Sequence, residues 1–400
     1  MNFRIPLAAP TITPEDIEEA IDSLRALQLT MGKKTKLFEA AWAKYVGVKD
    51  SVLTNSGTSA EDLAFYTLRE AGKLKPRDEV ITSPVTFPSS VNAILHAGAV
   101  PVFIDVDLET LNFDERQIWE GVGEKTKAIL PVHFMGNPCD MDQVMEAANE
   151  YKLSVIEDCA ESHGAMVGDR KVGSFGDMGI FSFFFSHHIS TIEGGSVVSD
   201  DDEYLMIARS LRSYGWIRAL TDSQRESLAG RYSSIDPRHL YINTGYNFKP
   251  TEINAAIGLH QIERIESIIE AKRRNAQYLI KHLSQVPRFE EEFILPRERK
   301  GTRHSWLGFP LVAKRQSKFQ VMGFLEKNGI DTRQLEAGNM LQQPSATKYE
   351  YREIGSLPNA RLVMKGGLFF GNYHTMSNED LDYVVGVFED FIRRTLGSCR

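Results

Sequence analysis

Two adjacent histidines, His187 and His188, carry the clearest chemical signal in the sequence. They follow the apolar run FSFFFS and precede a break at two glycines, which predicts a buried strand ending at the edge of a pocket. A neutral imidazole is the side chain best suited to moving protons near pH 7. No lysine occurs between Lys171 and Lys249. The chemistry of this stretch must therefore use an imidazole and not a lysine amine.

A second chemical signal lies at the start of a predicted helix, in the segment SVLTNSGTSAEDL. A short strand leads there into Gly57 and Thr58, which open the helix. Backbone amides at a helix start are free to bind an anion, and glycine permits close approach, so a phosphate would fit. Serine and threonine at such a position also serve as ordinary helix caps, and both interpretations stay open at this point.

These residues must be positioned by a sheet. Between residues 79 and 200, short β-rich runs alternate with helical stretches, which predicts a doubly wound α/β domain with a largely parallel sheet. Ligands in such sheets bind beyond the carboxyl ends of the strands. The residues that follow the predicted strands are therefore the candidates for binding: Phe87, Asp158, Glu161, His163, Ser182 and His187.

A metal site is the competing interpretation of the same loop. Asp158 and His163 lie close together in the sequence and could join the histidine pair around an ion. Their spacing matches no recognised ligand pattern, so we expect no metal. His133, at the end of another predicted strand, is expected to be a satisfied structural residue.

The remaining patterns divide the chain. A helix is predicted from about residue 14 to 26, and one long helix, beginning TEINAAIGLHQIERIESIIEAKRR, follows Pro250 and would link two domains. The strand and helix patterns after it suit a small α+β unit. We therefore predict a large α/β domain over residues 1–250, followed by the linking helix and a smaller C-terminal α+β domain over residues 251–400.

Composition limits the possible classes of protein. The 400 residues are 42% hydrophobic and 25% charged, as in an ordinary globular chain. The formal net charge of −8 provides no basic field for nucleic acid, and no apolar run is long enough to span a membrane. The three cysteines, Cys139, Cys159 and Cys399, are too scattered for a disulfide framework, so we expect a cytoplasmic protein.

Three segments carry a family resemblance: VIEDCAESHGA, GSFGDMGIFSFFFSHHISTIEGG and GYNFKPTEINAAIGLHQI. They resemble successive signatures of the DegT/DnrJ/EryC1/StrS family of sugar aminotransferases, and the likeness runs over nearly the whole chain. That family depends on pyridoxal phosphate. The resemblance therefore implies fold type I, the aspartate aminotransferase-like fold, with a mostly parallel sheet in the large domain and a smaller α+β C-terminal domain.

The resemblance gives His187 a specific meaning. Its position in the family is normally the lysine that binds the cofactor as a Schiff base, and a histidine there resembles a small branch, the sugar 3-dehydratases. The likeness favours those acting on a GDP-linked 4-keto-6-deoxy sugar. An iron–sulfur relative shares the histidine, but its cluster needs closely spaced cysteines, and residues 200 to 250 contain none. We therefore expect no cluster.

The resemblance also assigns the parts of a cofactor site. Gly57, Thr58 and Ser182 would hold the phosphate. Asp158 would keep the pyridine nitrogen protonated, so that the ring acts as an electron sink, and Phe87 would stack on the ring face. These are the functions that pyridoxal chemistry requires of the protein around it.

Other assignments extend the site outward. Glu161 would contact the cofactor near its ring hydroxyl, and Asn247 would reach the phosphate of the neighbouring subunit's cofactor, which implies a homodimer with shared active sites. Arg333 and Asn339 resemble segments that close over the substrate in relatives. Neighbouring side chains on an extended segment point to opposite faces, so only one of the pair can easily face the cofactor. His188 is therefore a candidate for contacting the substrate, with packing or hydrogen bonding as the alternative.

The implied activity is a dehydration without transfer of nitrogen. Pyridoxal or pyridoxamine phosphate would be bound noncovalently, since no lysine holds it, and L-glutamate would supply the amino group and leave as 2-oxoglutarate. His187 would move the protons that accompany loss of the 3-hydroxyl from a nucleotide-linked 4-keto-6-deoxy sugar. Ammonia would be released, as in 3,6-dideoxysugar biosynthesis. No nucleic acid or membrane partner is expected.

Two alternatives remain open. An ordinary sugar aminotransferase would need Lys171 or Lys249 to reach the cofactor, although neither occupies the family position. A catalytically silent protein that binds the cofactor or a nucleotide sugar would keep Asp158, Phe87 and Thr58, because a binding site can outlive its activity.

Overall fold

The computed structural model describes residues 3–397, so Cys399 lies outside the described part of the chain. Its strands are β1 (Asp50–Thr54), β2 (Glu79–Thr82), β3 (Val100–Phe103), β4 (Thr126–Ile129), β5 (Ser154–Asp158), β6 (Met166–Val167), β7 (Arg170–Lys171), β8 (Met178–Ser182), β9 (Gly195–Ser199), β10 (Phe293–Ile294), β11 (Thr302–Arg303), β12 (Phe309–Ala313), β13 (Thr332–Gln334), β14 (Arg352–Glu353) and β15 (Gly367–Phe370). Its helices are α1 (Pro14–Arg25), α2 (Lys33–Val46), α3 (Gly57–Glu70), α4 (Pro88–His96), α5 (Ile118–Gly121), α6 (Met141–Tyr151), α7 (Asp202–Arg212), α8 (Asp222–Arg231), α9 (Glu252–Leu259), α10 (Gln261–Leu283), α11 (Phe289–Glu292), α12 (Lys318–Lys327), α13 (Pro358–Gly366) and α14 (Asn378–Gly397).

The large sheet has eight strands in the order β1-β9-β8-β5-β4-β2-β3-β14. The pairs from β8 through β14 are parallel, whereas β9 runs antiparallel to both β1 and β8. One apolar cluster joins the sheet to α3, α4 and α7, and a second joins it to α6. The predicted α/β fold with a mostly parallel sheet is therefore confirmed.

A second sheet, antiparallel and in the order β10-β12-β15-β13, lies entirely within residues 251–400. The same half of the chain also sends β14 back to the large sheet, where Arg352 pairs with Val102. Near the other end of the chain, Ile5 forms a parallel bridge with Ile330. The division into two domains at residue 250 remains a prediction. These two strand pairings connect residues 1–250 with residues 251–400.

Two predicted elements differ from the observed ones. The strand leading to the histidine pair ends at Ser182, and residues 183 to 194 form turns, so His187 lies in a loop and not at a strand end. Phe184 and Phe185 are about half exposed, at 46% and 47%, which shows that the aromatic run is only partly core. The single long helix is in fact two, α9 and α10, which meet at His260.

The structure contains no helix, among its described residues, that is long and apolar enough to cross a membrane.

Glu252, fully buried at the start of α9, holds the start of α2 in place. Its carboxylate accepts hydrogen bonds from the backbone N–H of Gly32 (2.7 Å) and Lys34 (2.5 Å), and from the hydroxyl of Thr35 (2.7 Å). Amides at a helix start have no partner within the helix, and α2 begins after a glycine that offers no side-chain cap. A residue distant in sequence therefore caps this helix.

We expect Glu252→Ala to lower the free energy of unfolding by about 3 kcal/mol, because several buried donors lose a charged acceptor. Glu263→Ala, which removes an exposed acid from the first turn of α10, should change it by less than about 0.5 kcal/mol. Thermal and urea unfolding of the two variants would measure the difference. Equal stability of the two would show that the buried carboxylate contributes nothing.

Candidate active site

A cavity of about 410 Å³ opens at the carboxyl edge of the large sheet. It is lined by Ser56, Gly57, Thr58, Glu61, Thr86, Phe87, Ser89, Val132, His133, Asp158, Ala160, Glu161, Ser182, Phe184, Ser186, His187, Glu193, Leu307 and Glu336. Seven residues singled out from the sequence therefore meet here: Gly57, Thr58, Phe87, Asp158, Glu161, Ser182 and His187.

The start of α3 forms one end of the cavity. Ser56 caps this helix, accepting the backbone N–H of Ser59 on its hydroxyl (3.1 Å), so the amides of Gly57 and Thr58 belong to the open first turn. Gly57 lies directly against Ser182: a Cβ added to Gly57 would stand 2.6 Å from the Cβ of Ser182. Glycine is thus required for the close approach of two backbones, and the result is a small polar cradle of the kind that suits a phosphate.

We expect Gly57→Ala to weaken pyridoxal phosphate binding by about 10- to 100-fold, since overpacking of this kind costs about 1–3 kcal/mol. Gly230→Ala is the matched control, because that glycine lies in the exposed helix α8 and a Cβ there meets nothing within 4 Å. Absorbance titration with the cofactor would compare the two. Unchanged affinity in Gly57→Ala would place the phosphate elsewhere.

Asp158 ends β5 at the floor of the cavity and is 4% exposed. Its carboxylate accepts the hydroxyl of Ser90 (2.7 Å) and the backbone N–H of Ala160 (3.1 Å), which fix its direction. Glu61, from the second turn of α3, lies beside it. Burial, and then the charge of Asp158, raise the pKa of Glu61 well above its usual value. Phe87 stands at the cavity mouth with 54% of its surface exposed, so its ring face is free to cover a bound ring.

The side chains of His187 and His188 point in different directions, as the sequence suggested. A turn, and not an extended strand, is the cause. His187 lines the cavity, and burial, followed by the charge of Lys272, lowers its pKa to about 3, so its imidazole is neutral at pH 7. His188 is fully buried behind the cavity, where its Nε2 lies 2.6 Å from the carbonyl of Ser305. The pair therefore offers the cavity one proton acceptor.

Behind His187 lie two buried polar groups: His163, which the sequence indicated as a candidate, and Lys272, which it did not. The ring of His163 is 5.9 Å from that of His187, and among the described atoms neither of its nitrogens has a hydrogen-bond partner. Lys272, on α10, is 5% exposed, donates to the carbonyl of Leu307 (2.8 Å), and has its pKa lowered by burial to about 7. This lysine stands near the histidines but is not part of the cavity wall.

Two further carboxyls meet in the cavity. Glu161, in the loop after β5, accepts the backbone N–H of Met135 (2.6 Å), and its carboxyl is hydrogen-bonded to that of Glu336, in the loop after β13. Burial, and then the neighbouring Glu336, raise the pKa of Glu161 well above its usual value. Burial also raises the pKa of Glu336, although the hydrogen bond with Glu161 opposes part of that rise.

Three residues assigned to the site by resemblance lie outside this cavity. Asn247 is exposed in the segment after α8, next to the amine of Lys249. Arg333 is 57% exposed and pairs with Asp331 (2.7 Å). Asn339 is buried and caps the turn after it, its side chain accepting the backbone N–H of Leu341 (2.9 Å). None of the three is brought to the cavity within one chain, and their roles stay predictions.

Glu61 and Glu336 are the residues that sequence reasoning missed. Glu61 could have been found, because it lies one helical turn beyond Thr58 and therefore on the same face of α3. Glu336 had a weaker signal: it stands between Arg333 and Asn339, in a stretch already suspected of approaching the substrate.

One group of side chains has the composition of a metal site. Among the described residues, His133, Glu157 and Cys159 bring their ligand atoms within 4.8 Å of one another. The Nδ1 of His133 accepts the backbone N–H of Cys139, so its Nε2 carries the proton that faces Glu157 (3.2 Å). Glu157 also accepts three backbone amides of the loop after β7, and burial keeps the Cys159 thiol protonated by raising its pKa. These atoms stabilise the fold, and we assign them no ion.

Fold and site together define a class of protein. A helix start that suits a phosphate, an acid at the end of a parallel strand and an aromatic ring at the mouth are the features expected of a pyridoxal-phosphate-dependent aminotransferase site. The chain belongs to the DegT/DnrJ/EryC1/StrS aminotransferase family, whose pattern matches residues 10–389. The predicted family and fold are therefore confirmed.

Its relatives include two curated proteins of similar length. One is the lipopolysaccharide biosynthesis protein RfbH of Salmonella typhimurium, 35% identical over 97% of this chain and 91% of that protein. Another is GDP-4-keto-6-deoxy-D-mannose 3-dehydratase of Escherichia coli O55:H7, 33% identical over 95% of this chain and 98% of that one. A crystal structure of a GDP-4-keto-6-deoxymannose-3-dehydratase with a trapped PLP-glutamate geminal diamine is 30% identical, with a TM-score of 0.87, and covers 96% of this chain and 100% of that one.

Proposed function

We propose that this protein is a 3-dehydratase that uses pyridoxal and pyridoxamine phosphate to remove the 3-hydroxyl from a nucleotide-linked 4-keto-6-deoxy sugar. GDP is the favoured nucleotide, and L-glutamate is the amino donor. The nitrogen that glutamate supplies is released as ammonia. The observation that carries the proposal is His187: an imidazole lines the cavity, and by the sequence resemblance it stands where the family normally has its lysine. The named activity of the relatives supports it.

The cavity residues fit the cofactor. The cradle of Gly57, Thr58 and Ser182 would hold the phosphate, Asp158 would face the ring nitrogen, and Phe87 would cover the ring. When bound, the cofactor supplies the electron sink for the reaction. The chain itself must orient it without a covalent bond, so the cradle carries most of that task.

His187 is the residue that moves a proton. Its imidazole is neutral, because burial lowers its pKa to about 3, and a neutral ring can accept a proton from carbon. Once protonated, the same ring is a strong acid and returns the proton readily. An amine in its place would instead capture the cofactor covalently, which is how the aminotransferases of this family differ.

The aminotransferase alternative requires a lysine at the cofactor. Among the described residues that line the cavity there is no lysine. Lys171 lies over the ring of Tyr45 (4.4 Å), Lys249 lies over the ring of Tyr214 (4.2 Å), and Lys272 bonds a carbonyl behind the cavity wall. All three amines are occupied away from the cavity, which supports the dehydratase.

A homodimer with shared active sites belongs to the proposal. The described part of the cavity wall carries five carboxyls, from Glu61, Asp158, Glu161, Glu193 and Glu336, and no lysine or arginine. A phosphate, a nucleotide diphosphate and glutamate are all anionic, so a single chain is a poor match for them.

The segment that contains Asn247 supports the same arrangement. Tyr241 and Tyr246 of this segment are 51% and 36% exposed, and Tyr214, whose backbone N–H donates to Tyr246, is 48% exposed. The three rings form an apolar surface suited to burial against a second copy. Each subunit would then supply its Asn247 to its neighbour's cofactor. We also propose a cytoplasmic location, in keeping with buried, unpaired Cys139 and Cys159.

The test is a mass-spectrometric screen of GDP-, CDP- and dTDP-linked 4-keto-6-deoxy sugars with glutamate and pyridoxal phosphate. We expect a product that has lost the 3-hydroxyl, formed fastest from the GDP sugar. A stable 4-amino sugar would establish the aminotransferase instead. Cofactor binding without turnover of any sugar would establish the silent binding protein.

A further inference from the structure

Glu336, which lies against Glu161 in the cavity, is a residue that the proposed cofactor site does not explain. Glu336 adopts a φ of +44°, which residues other than glycine rarely do, and its loop is fixed in that shape. Its own carbonyl accepts the side-chain amide of Gln334 (2.7 Å), and the backbone N–H of Gly338 donates to Leu335 (2.7 Å). The chain thus holds a strained backbone that brings this carboxyl into the cavity.

Glu161 is held just as firmly from the other side. The amide of Met135 that donates to it comes from a tight turn in which Met135 itself has a φ of +52°. Two loops from different parts of the fold, one after β5 and one after β13, therefore converge to place two carboxyls in contact. No lysine or arginine lies in the described cavity wall to neutralise them, so the pair retains a proton.

The cavity therefore contains groups that are held in opposite protonation states. His187 is kept neutral, which makes it a base, whereas the carboxyl pair is kept protonated, which makes it an acid. Environments that separate titratable groups in this way identify the acid and the base of a reaction. In the second carboxyl pair, Asp158 with Glu61, Asp158 is already assigned to the ring nitrogen. In the first pair Glu161 is assigned to the ring hydroxyl, and Glu336 has no role in holding the cofactor.

We infer that Glu336 is a catalytic acid of the dehydration, with Glu161 as the positioning residue that shares and orients its proton. The inference rests on the proposed function. The bond between C3 and its oxygen breaks, the oxygen leaves with the bonding electrons, and it takes the proton of Glu336 to depart as water. His187 has taken a proton from carbon in the same turnover, so the total charge of the cavity is unchanged. The protonated imidazole then returns a proton to the pair through solvent.

Glu336→Gln tests this directly, because an amide keeps the shape of the side chain but has no acidic proton to give. The substrates are GDP-4-keto-6-deoxymannose and its 3-deoxy-3-fluoro analogue, whose fluoride leaves without needing a proton. We expect the variant to lose about 100-fold in rate on the hydroxyl substrate and less than threefold on the fluoro substrate. Glu336→Asp, which restores an acid, should recover at least a tenth of the wild-type rate.

The outcomes separate two failures. Wild-type protein that releases no ammonia from the hydroxyl substrate would overturn the proposed function, and this inference with it. Active wild-type protein together with an unimpaired Glu336→Gln would overturn the inference alone, leaving His187 as both base and acid. Equal losses on the two substrates would also overturn it, since they would show a structural contribution in place of proton donation.

Discussion

Replacing His187 by asparagine is expected to abolish dehydration while leaving the affinity for pyridoxal phosphate within about tenfold of wild type. The rate should fall by about 10³-fold or more, because asparagine cannot accept the proton that a neutral imidazole accepts. Affinity should survive because His187 forms no covalent bond, and the phosphate cradle around Gly57 is untouched. Ammonia release and cofactor titration would measure the two quantities separately.

The matched control is His96→Asn, which removes a histidine at the end of α4. Its side chain is 51% exposed and does not line the cavity. It should retain both activity and cofactor affinity. A His187→Asn protein that loses the cofactor would contradict the noncovalent site. One that still dehydrates would remove His187 from the reaction.

Replacing Asp158 by asparagine is expected to slow both halves of the reaction by at least about 100-fold. An acid facing the pyridine nitrogen keeps the ring protonated, and every proton transfer at the cofactor depends on that electron sink. The amide oxygen can still accept the backbone N–H of Ala160, and its NH2 can donate to the hydroxyl of Ser90, so the fold should persist. Single-turnover absorbance changes with glutamate, and ammonia release with the sugar, would report the two halves.

Ser90→Ala provides the graded comparison, because it removes the 2.7 Å hydrogen bond that orients Asp158 but leaves the carboxylate in place. A loss of about tenfold is expected, smaller than that of Asp158→Asn. If Asp158→Asn kept more than a tenth of the rate with glutamate, the ring nitrogen would have to lie elsewhere in the cavity.

Most of the site residues that the sequence predicted were predictable for one structural reason. Asp158 and Ser182 end neighbouring parallel strands, and Phe87 follows another strand of the same sheet, so topology alone brings them to one edge. Gly57 was identifiable because a glycine at a helix start has few structural reasons to be there.

What escaped prediction depends on tertiary contacts. Glu336 reaches the cavity because its own backbone is left-handed, in the loop after β13, and hydrophobic periodicity in the sequence does not predict such a conformation. Lys272 lies in an amphipathic helix pattern in which a buried lysine looks like any charged surface residue. The side chain of Asn339 caps the turn that follows it, a local role that asparagine commonly takes, and its assignment to the substrate stays a prediction.

The prediction of a strand up to His187 was wrong for a related reason. Consecutive phenylalanines resemble a strand buried on both faces, but β8 ends at Ser182 and Phe184 already faces the cavity. The histidine is therefore presented by a turn. Its neighbour His188 points to Ser305 because of that turn and not because of strand alternation.

The most direct measurement uses ¹⁵N-labelled glutamate with the wild-type protein and GDP-4-keto-6-deoxymannose. The account predicts that the label appears in free ammonia, in an amount equal to the 3-deoxy sugar formed, because loss of the 3-hydroxyl leaves an unsaturated amine that hydrolyses, and the described cavity wall has no lysine that would complete a transfer. Recovery of the label in a 4-amino sugar that keeps its 3-hydroxyl would contradict it.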